Sequence, residues 1–177
     1  PNNQIDYGSK IKFDSATTKN LSQAESWVVL ECVCRLLEKG YRPECITLEK
    51  TWSSGHGKSA RLDICVNRAD GTDYLLIECK TWGSEYDKAL ARLQKDGGQL
   101  FTYFKFSNHA DVIMLYASDI DRGGVQFKND IIPIQDDYRL GDAQDFYKVW
   151  NKLSVDNGVF ETEITPYQFR SKYLTPE

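Results

Sequence analysis

The sequence predicts an α/β domain. Its core runs α-β-β-β-α-β, with a mixed central sheet flanked by helices. Three observations carry this. Val28, Val29, Cys32, Val33, Leu36 and Leu37 recur at the spacing of one helix face. Three short strand-like runs follow, and Asp70-Gly71 between the second and third is a strong hairpin signal. A helical stretch then separates the third run from the apolar "DVIMLYAS". Strands joined by such a crossover lie parallel in one sheet.

Each element has a local cause. Residues 1–21 are polar and without clear periodicity, so they read as an N-terminal extension, with "FDSATTKN" as loop. Ser22, followed three residues later by Glu25, fits a capping box for the first helix. Gly40 stops that helix. "CITLEKTW" alternates and reads as the first strand, "SSGHGKS" as a flexible loop, "RLDICVN" and "YLLIECK" as an antiparallel pair. In the next stretch Tyr86, Ala89, Leu90 and Leu93 share a helix face, and Gly97-Gly98 should break it before a second helical piece from Gln99 to Phe104. "DVIMLYAS" is a fully buried strand, "VQFKNDIIPI" a further strand pair and "DAQDFYKVWNKL" a helix. The domain is expected to span residues 22–165, with 166–177 as a linker or docking tail.

Composition narrows the function classes. A chain of 177 residues suits one domain with its own core. No apolar run approaches the ~20 residues that cross a bilayer, and there is no signal-peptide pattern, so a cytoplasmic protein without membrane contact is expected. The first residue is Pro rather than Met, which reads as a processed or excised piece. The five cysteines are odd in number and form no CxxC pair, so reduced thiols are expected. The two histidines, His56 and His109, lack zinc-ligand spacing. The net charge of −4 argues against a dedicated nucleic-acid-binding module, though not against an enzyme that meets nucleic acid locally.

The chemistry concentrates in "LLIECKTW", residues 75–82. Glu78 and Lys80 are i and i+2 on a strand and project to one face, while Cys79 points to the core. Asp63, in the apolar strand across the hairpin, comes close to facing Glu78. Two carboxylates that converge repel and need a cation. A hard ion such as Mg²⁺ takes carboxylate oxygens and a main-chain carbonyl and keeps several waters. It suits metal-assisted cleavage of a phosphodiester, with Lys80 orienting the water or holding the phosphate. An ExK triplet by itself equally fits a solvated strand end with a surface ion pair.

Asp63 followed by Glu78-Cys79-Lys80 after a hairpin, in an α-β-β-β-α-β order, resembles the PD-(D/E)XK nuclease superfamily and its restriction-endonuclease-like fold. "RLD" stands where that superfamily often has a Pro before the Asp. Gln99 and Tyr103 in "QLFTY" form a QxxxY pattern at i and i+4. This is similar to RecB-like nucleases and to the N-terminal nuclease domain of type I restriction-enzyme R subunits. Alone, the pair also fits an ordinary amphipathic helix. "IDYGSKIKF", "ECVCRLLEKGYRPECITLE", "LLIECKTWGSEYDKAL" and "DGGQLFTYF" together resemble the nuclease region of single-chain restriction–modification proteins, where an adenine methyltransferase follows.

The resemblance implies a Mg²⁺-dependent DNA endonuclease domain, with Mn²⁺ as a substitute. It implies metal ligands Asp63, Glu78, the Cys79 carbonyl and an acidic residue of the first helix. Glu25 fits that place and Glu31 is the alternative, while helix capping competes as the role of Glu25. Gln99 would orient the site and the phosphate. The implied partners are double-stranded DNA and the methyltransferase and specificity domains or subunits of the same system. Lys58, Arg61 and Tyr103 are candidate DNA contacts. Lys88, Arg92, Lys95 and Lys105 either touch phosphates or form a solvated face. "GHGKS" is not a P-loop, because Trp52 stands where the first Gly belongs and a strand follows. Two alternatives remain: a docking domain with a vestigial site, or a repair or junction nuclease, whose usual basic dimers this acidic chain does not resemble.

Overall fold

The computed structural model describes residues 3–53, 59–107 and 109–133. Six strands form one mixed sheet: β1 (Lys12–Phe13), β2 (Ile46–Ser53), β3 (Ser59–Asn67), β4 (Asp73–Cys79), β5 (Val112–Asp121) and β6 (Gly124–Pro133). They lie in sequence order. β1 is parallel to β2, and β2, β3 and β4 are successively antiparallel. β5 is parallel to β4, as the crossover requires, and β6 returns antiparallel to β5. Among the described residues three α-helices flank the sheet: α1 (Ala24–Glu38), α2 (Ser84–Asp96) and α3 (Gly98–Phe106).

Strand alternation sorts the core into two layers. Leu75, Ile77 and Cys79 of β4, with Val112, Met114 and Tyr116 of β5, pack on one side against Val29, Cys32, Val33 and Leu36 of α1. Leu76 of β4 and Ile113, Leu115 and Ala117 of β5 pack on the other against Tyr86, Leu93, Leu100, Tyr103 and Phe104 of α2 and α3.

Two glycines set the helix ends. Gly40 has φ +90°. The N–H groups of Gly40 and Tyr41 donate to the carbonyls of Leu37 and Leu36 at 2.9 and 3.0 Å, a Schellman closure of α1. Gly97 has φ +76° and ends α2, donating to the Leu93 carbonyl at 3.0 Å. The chain restarts at once as α3, which packs on β3, β4 and β5. This break brings Gln99 and Tyr103 over the carboxyl end of β4.

Three local expectations change. Gln23, not Ser22, stands at the start of α1, and the Ser22 hydroxyl donates to Asn20 Oδ1 at 2.7 Å instead. Asn20 Oδ1 accepts both the N–H and the hydroxyl of Ser22, an Asx turn that holds Ser22 outside the helix. "VQFKNDIIP" is one strand rather than a pair, because it forms a continuous ladder with β5. The N-terminal segment is built into the sheet. Ile5 and Ile11 are buried, and Thr17–Lys19 form a 3₁₀ turn. Glu49 holds that turn: its buried carboxylate accepts the N–H groups of Thr17 and Thr18 and the Thr17 hydroxyl. The expected helix at "DAQDFYKVWNKL", Trp150 and the 166–177 tail lie outside the described residues, as do His56 and Lys58.

Candidate active site

The site forms where the β3–β4 ladder ends. Paired positions run from Asn67↔Asp73 to Ile64↔Ile77. At the next step the Asp63 side chain, not the β3 backbone, takes the Cys79 N–H, at 2.7 Å through Oδ2. In a strand the N–H and C=O of one residue point the same way, so the Cys79 carbonyl also faces this gap. Its side chain is fully buried on the opposite face against α1. Lys80 lies one residue past β4 but stays in line, because its N–H donates to the Tyr116 carbonyl of β5 at 2.9 Å.

Glu78 is 4 % exposed, and its Oε1 receives the Lys80 ammonium at 2.6 Å. Lys80 also reaches Glu25 of α1 at 3.7 Å. Tyr103 stands beside Glu78: its hydroxyl helps lower the Glu78 carboxyl, while burial and then the Glu78 and Asp63 carboxylates raise Tyr103. Burial and then the neighbouring Glu78 and Glu25 carboxylates push Asp63 well above the usual carboxylate range. Burial also raises Glu78, although Lys80 pulls the other way. For Lys80, burial opposes the charge, but Glu78, Glu25 and Asp63 outweigh it and hold the ammonium. Ionised, Asp63, Glu78 and Glu25 place three negative charges around one lysine, an excess of two.

A cavity of about 230 Å³ opens on this cluster, lined among others by Glu25, Glu78, Lys80, Thr81, Arg92 and Gln99. Gln99 also lines a second, more open cavity with Ala60, Arg61, Thr102 and Tyr103. Arg61 is held there by the Thr17 hydroxyl at 3.0 Å. Trp52 stacks on Tyr103 with ring centroids 6.0 Å apart and backs the same corner.

The fold thus brings Asp63, Glu78, Lys80, Glu25, Gln99 and Tyr103 together, with Arg61 beside them. Glu31, the alternative to Glu25, is committed elsewhere. It pairs with Arg35 at 2.6 Å and accepts the Tyr116 hydroxyl at 2.5 Å. Trp82 stands over a separate cavity with Trp27 and Ile120 rather than over the carboxylates. Thr81 and Glu85 also line the acidic cavity, and neither stands out in the sequence. Strand alternation stops at Cys79, so no periodicity places Thr81.

Among the described residues no three His, Cys, Asp or Glu side chains converge tightly enough to enclose a metal ion. The donor set fits a more open site. Mg²⁺ is held by one or two carboxylates and keeps its waters, and the excess of two negative charges equals the charge of one such ion. No protein-family model matches this sequence, and no curated protein matches it. Among the described residues no helix is long and apolar enough to cross a membrane.

Proposed function

We propose that this chain is a Mg²⁺-dependent DNA endonuclease domain of a bacterial restriction–modification enzyme, similar to PD-(D/E)XK nucleases and acting in the cytoplasm. The observation that supports it most is the convergence of Asp63, Glu78 and Glu25 on Lys80 at the end of a buried hairpin. Such a concentration of perturbed carboxylates in a cleft is what metal-assisted chemistry needs.

Asp63, Glu78 and the Cys79 carbonyl would hold Mg²⁺ or Mn²⁺, with Glu25 at the mouth of the cavity. When bound, the ion polarises a phosphoryl oxygen and lowers the pKa of its water. The protein's own residues do the rest. Lys80 stays protonated and offers its N–H donors to the attacking water or a phosphate oxygen. Tyr103 fixes the Glu78 carboxylate. Gln99, between the two cavities, orients the backbone of double-stranded DNA, and Arg61 meets a phosphate on the far side. Phosphate contacts position but do not specify, so target choice belongs to specificity and methyltransferase domains or subunits of the same system.

Calorimetric titration with Mg²⁺ and Mn²⁺, followed by incubation with supercoiled plasmid, tests this. The expected result is metal binding and nicking by the unaltered chain, both lost in Asp63→Ala and Glu78→Ala. No metal binding at millimolar concentration, even with DNA present, would favour a second reading, a docking domain. One observation favours that reading. Trp27, Trp82 and Ile120 are 48 %, 37 % and 70 % exposed around a cavity of about 500 Å³ beside the site, and apolar patches of this kind mark interaction surfaces.

A further inference from the structure

We propose that Lys88 and Arg92 of α2 form a phosphate subsite for the DNA strand held at the carboxylate cluster. This inference rests on the nuclease reading and adds where the backbone runs next. Both residues line the same cavity as Glu78 and Glu25. At i and i+4 they occupy one face of α2, while Tyr86 and Leu93 of the same helix are buried against the sheet. Lys95 and Lys105 are exposed too, but they lie outside this cavity.

Charge gives the cavity its polarity. A polyanion that presents one phosphate to the carboxylates is repelled by Glu25, Glu78 and Glu85, which line the cavity. Lys88 and Arg92, which line the same cavity, supply the opposing charge. Ala89, Leu93, Leu100 and Leu115 also line the cavity and add apolar surface to it. Lys88 now pairs with Glu85 at 2.9 Å, with side chains 63 % and 58 % exposed. Exposed pairs of this kind contribute little, so a phosphate can take the ammonium over. The volume of about 230 Å³ is below the roughly 300–1,000 Å³ of pockets for drug-sized ligands. It suits phosphate groups of a strand passing through rather than an enclosed small ligand.

The test is the salt dependence of duplex DNA binding, measured by fluorescence anisotropy with Ca²⁺ in place of Mg²⁺. Lys88→Gln/Arg92→Gln is compared with Lys95→Gln/Lys105→Gln, which changes the net charge equally. Each lost phosphate contact lowers the slope of log K against log salt by about 0.9. The cavity variant should therefore lose about 2 from the slope, the control close to nothing, and Lys88→Arg/Arg92→Lys should restore it. Equal slopes for the two charge-removing variants, or no salt-dependent binding by the unaltered chain, would overturn the subsite. Plasmid nicking separates the two proposals. Nicking with an unchanged slope keeps the nuclease and removes the subsite. A lowered slope in a chain that never nicks keeps the subsite and removes the nuclease.

Discussion

The two ends of the β3–β4 hairpin both carry charged clusters, and they are built in opposite ways. At the turn, Arg68 meets Asp111 at 2.6 Å and the carbonyls of Asp73 and His109, while Lys50 lies 3.9 Å from Asp73. Asp70 accepts the N–H and hydroxyl of Thr72, and these bonds hold it below the usual carboxylate range. At the open end, burial and neighbouring carboxylates push Asp63 and Glu78 above that range. Charges that serve structure are satisfied in place. Carboxylates crowded together in a cleft without that satisfaction are what make this end the candidate site.

The largest effect expected from breaking this contrast is chemical. Glu78→Ala should abolish nicking, a loss of at least about a hundredfold on the scale of removing a key charge-stabilising group. A plasmid assay reads it, and full activity would place the chemistry elsewhere.

Asp63→Asn sharpens the same contrast through stability. The folded chain holds the Asp63 proton to a higher pH than the unfolded chain. Stability from this group is therefore complete below the ordinary carboxylate pKa and is lost as pH rises through the raised folded value. Thermal melts without metal should show the unaltered chain weakening across that interval. Asp63→Asn should flatten the fall, and Mg²⁺ should oppose it by binding the ionised form. Identical pH profiles for the two proteins would count against the conflict of charges.

At the turn the signs reverse. Arg68→Ala removes the ion pair to Asp111 and should cost about 2 kcal/mol, as lost hydrogen bonds to charged groups do. Denaturant melts measure this, and plasmid nicking should be unchanged. Tyr103→Phe removes the hydroxyl beside Glu78, and an effect of about 1 kcal/mol corresponds to roughly fivefold in rate. The smallest change is expected from Cys79→Ala. The buried thiol should cost roughly 1 kcal/mol of stability, while metal titration should be unaltered, because only the main chain of Cys79 faces the site.

Much of this was legible because it is local. Alternation placed Cys79 and Glu78 on opposite faces, and a positive φ that glycine tolerates ended α2 at Gly97. The Ser22 cap was misread for an equally local reason: Asn20, two residues earlier, ties Ser22 into an Asx turn. Lys88 and Arg92 share a helix face in any amphipathic reading, but no pattern says what stands opposite them.

The amino-acid sequence by itself determined the order of elements, the hairpin and the carboxylates that it carries. These depend on periodicity and turn chemistry within a few residues. Only the tertiary structure decided that Glu25 rather than Glu31 reaches Lys80. Both lie on α1, and the choice falls to Arg35 and the distant Tyr116, which engage Glu31. It also decided that residues 12–13 join the sheet, because Thr17 and Thr18 find their partner in Glu49, more than thirty residues away. Such contacts are chosen by how the layers pack, and packing leaves no period in the chain.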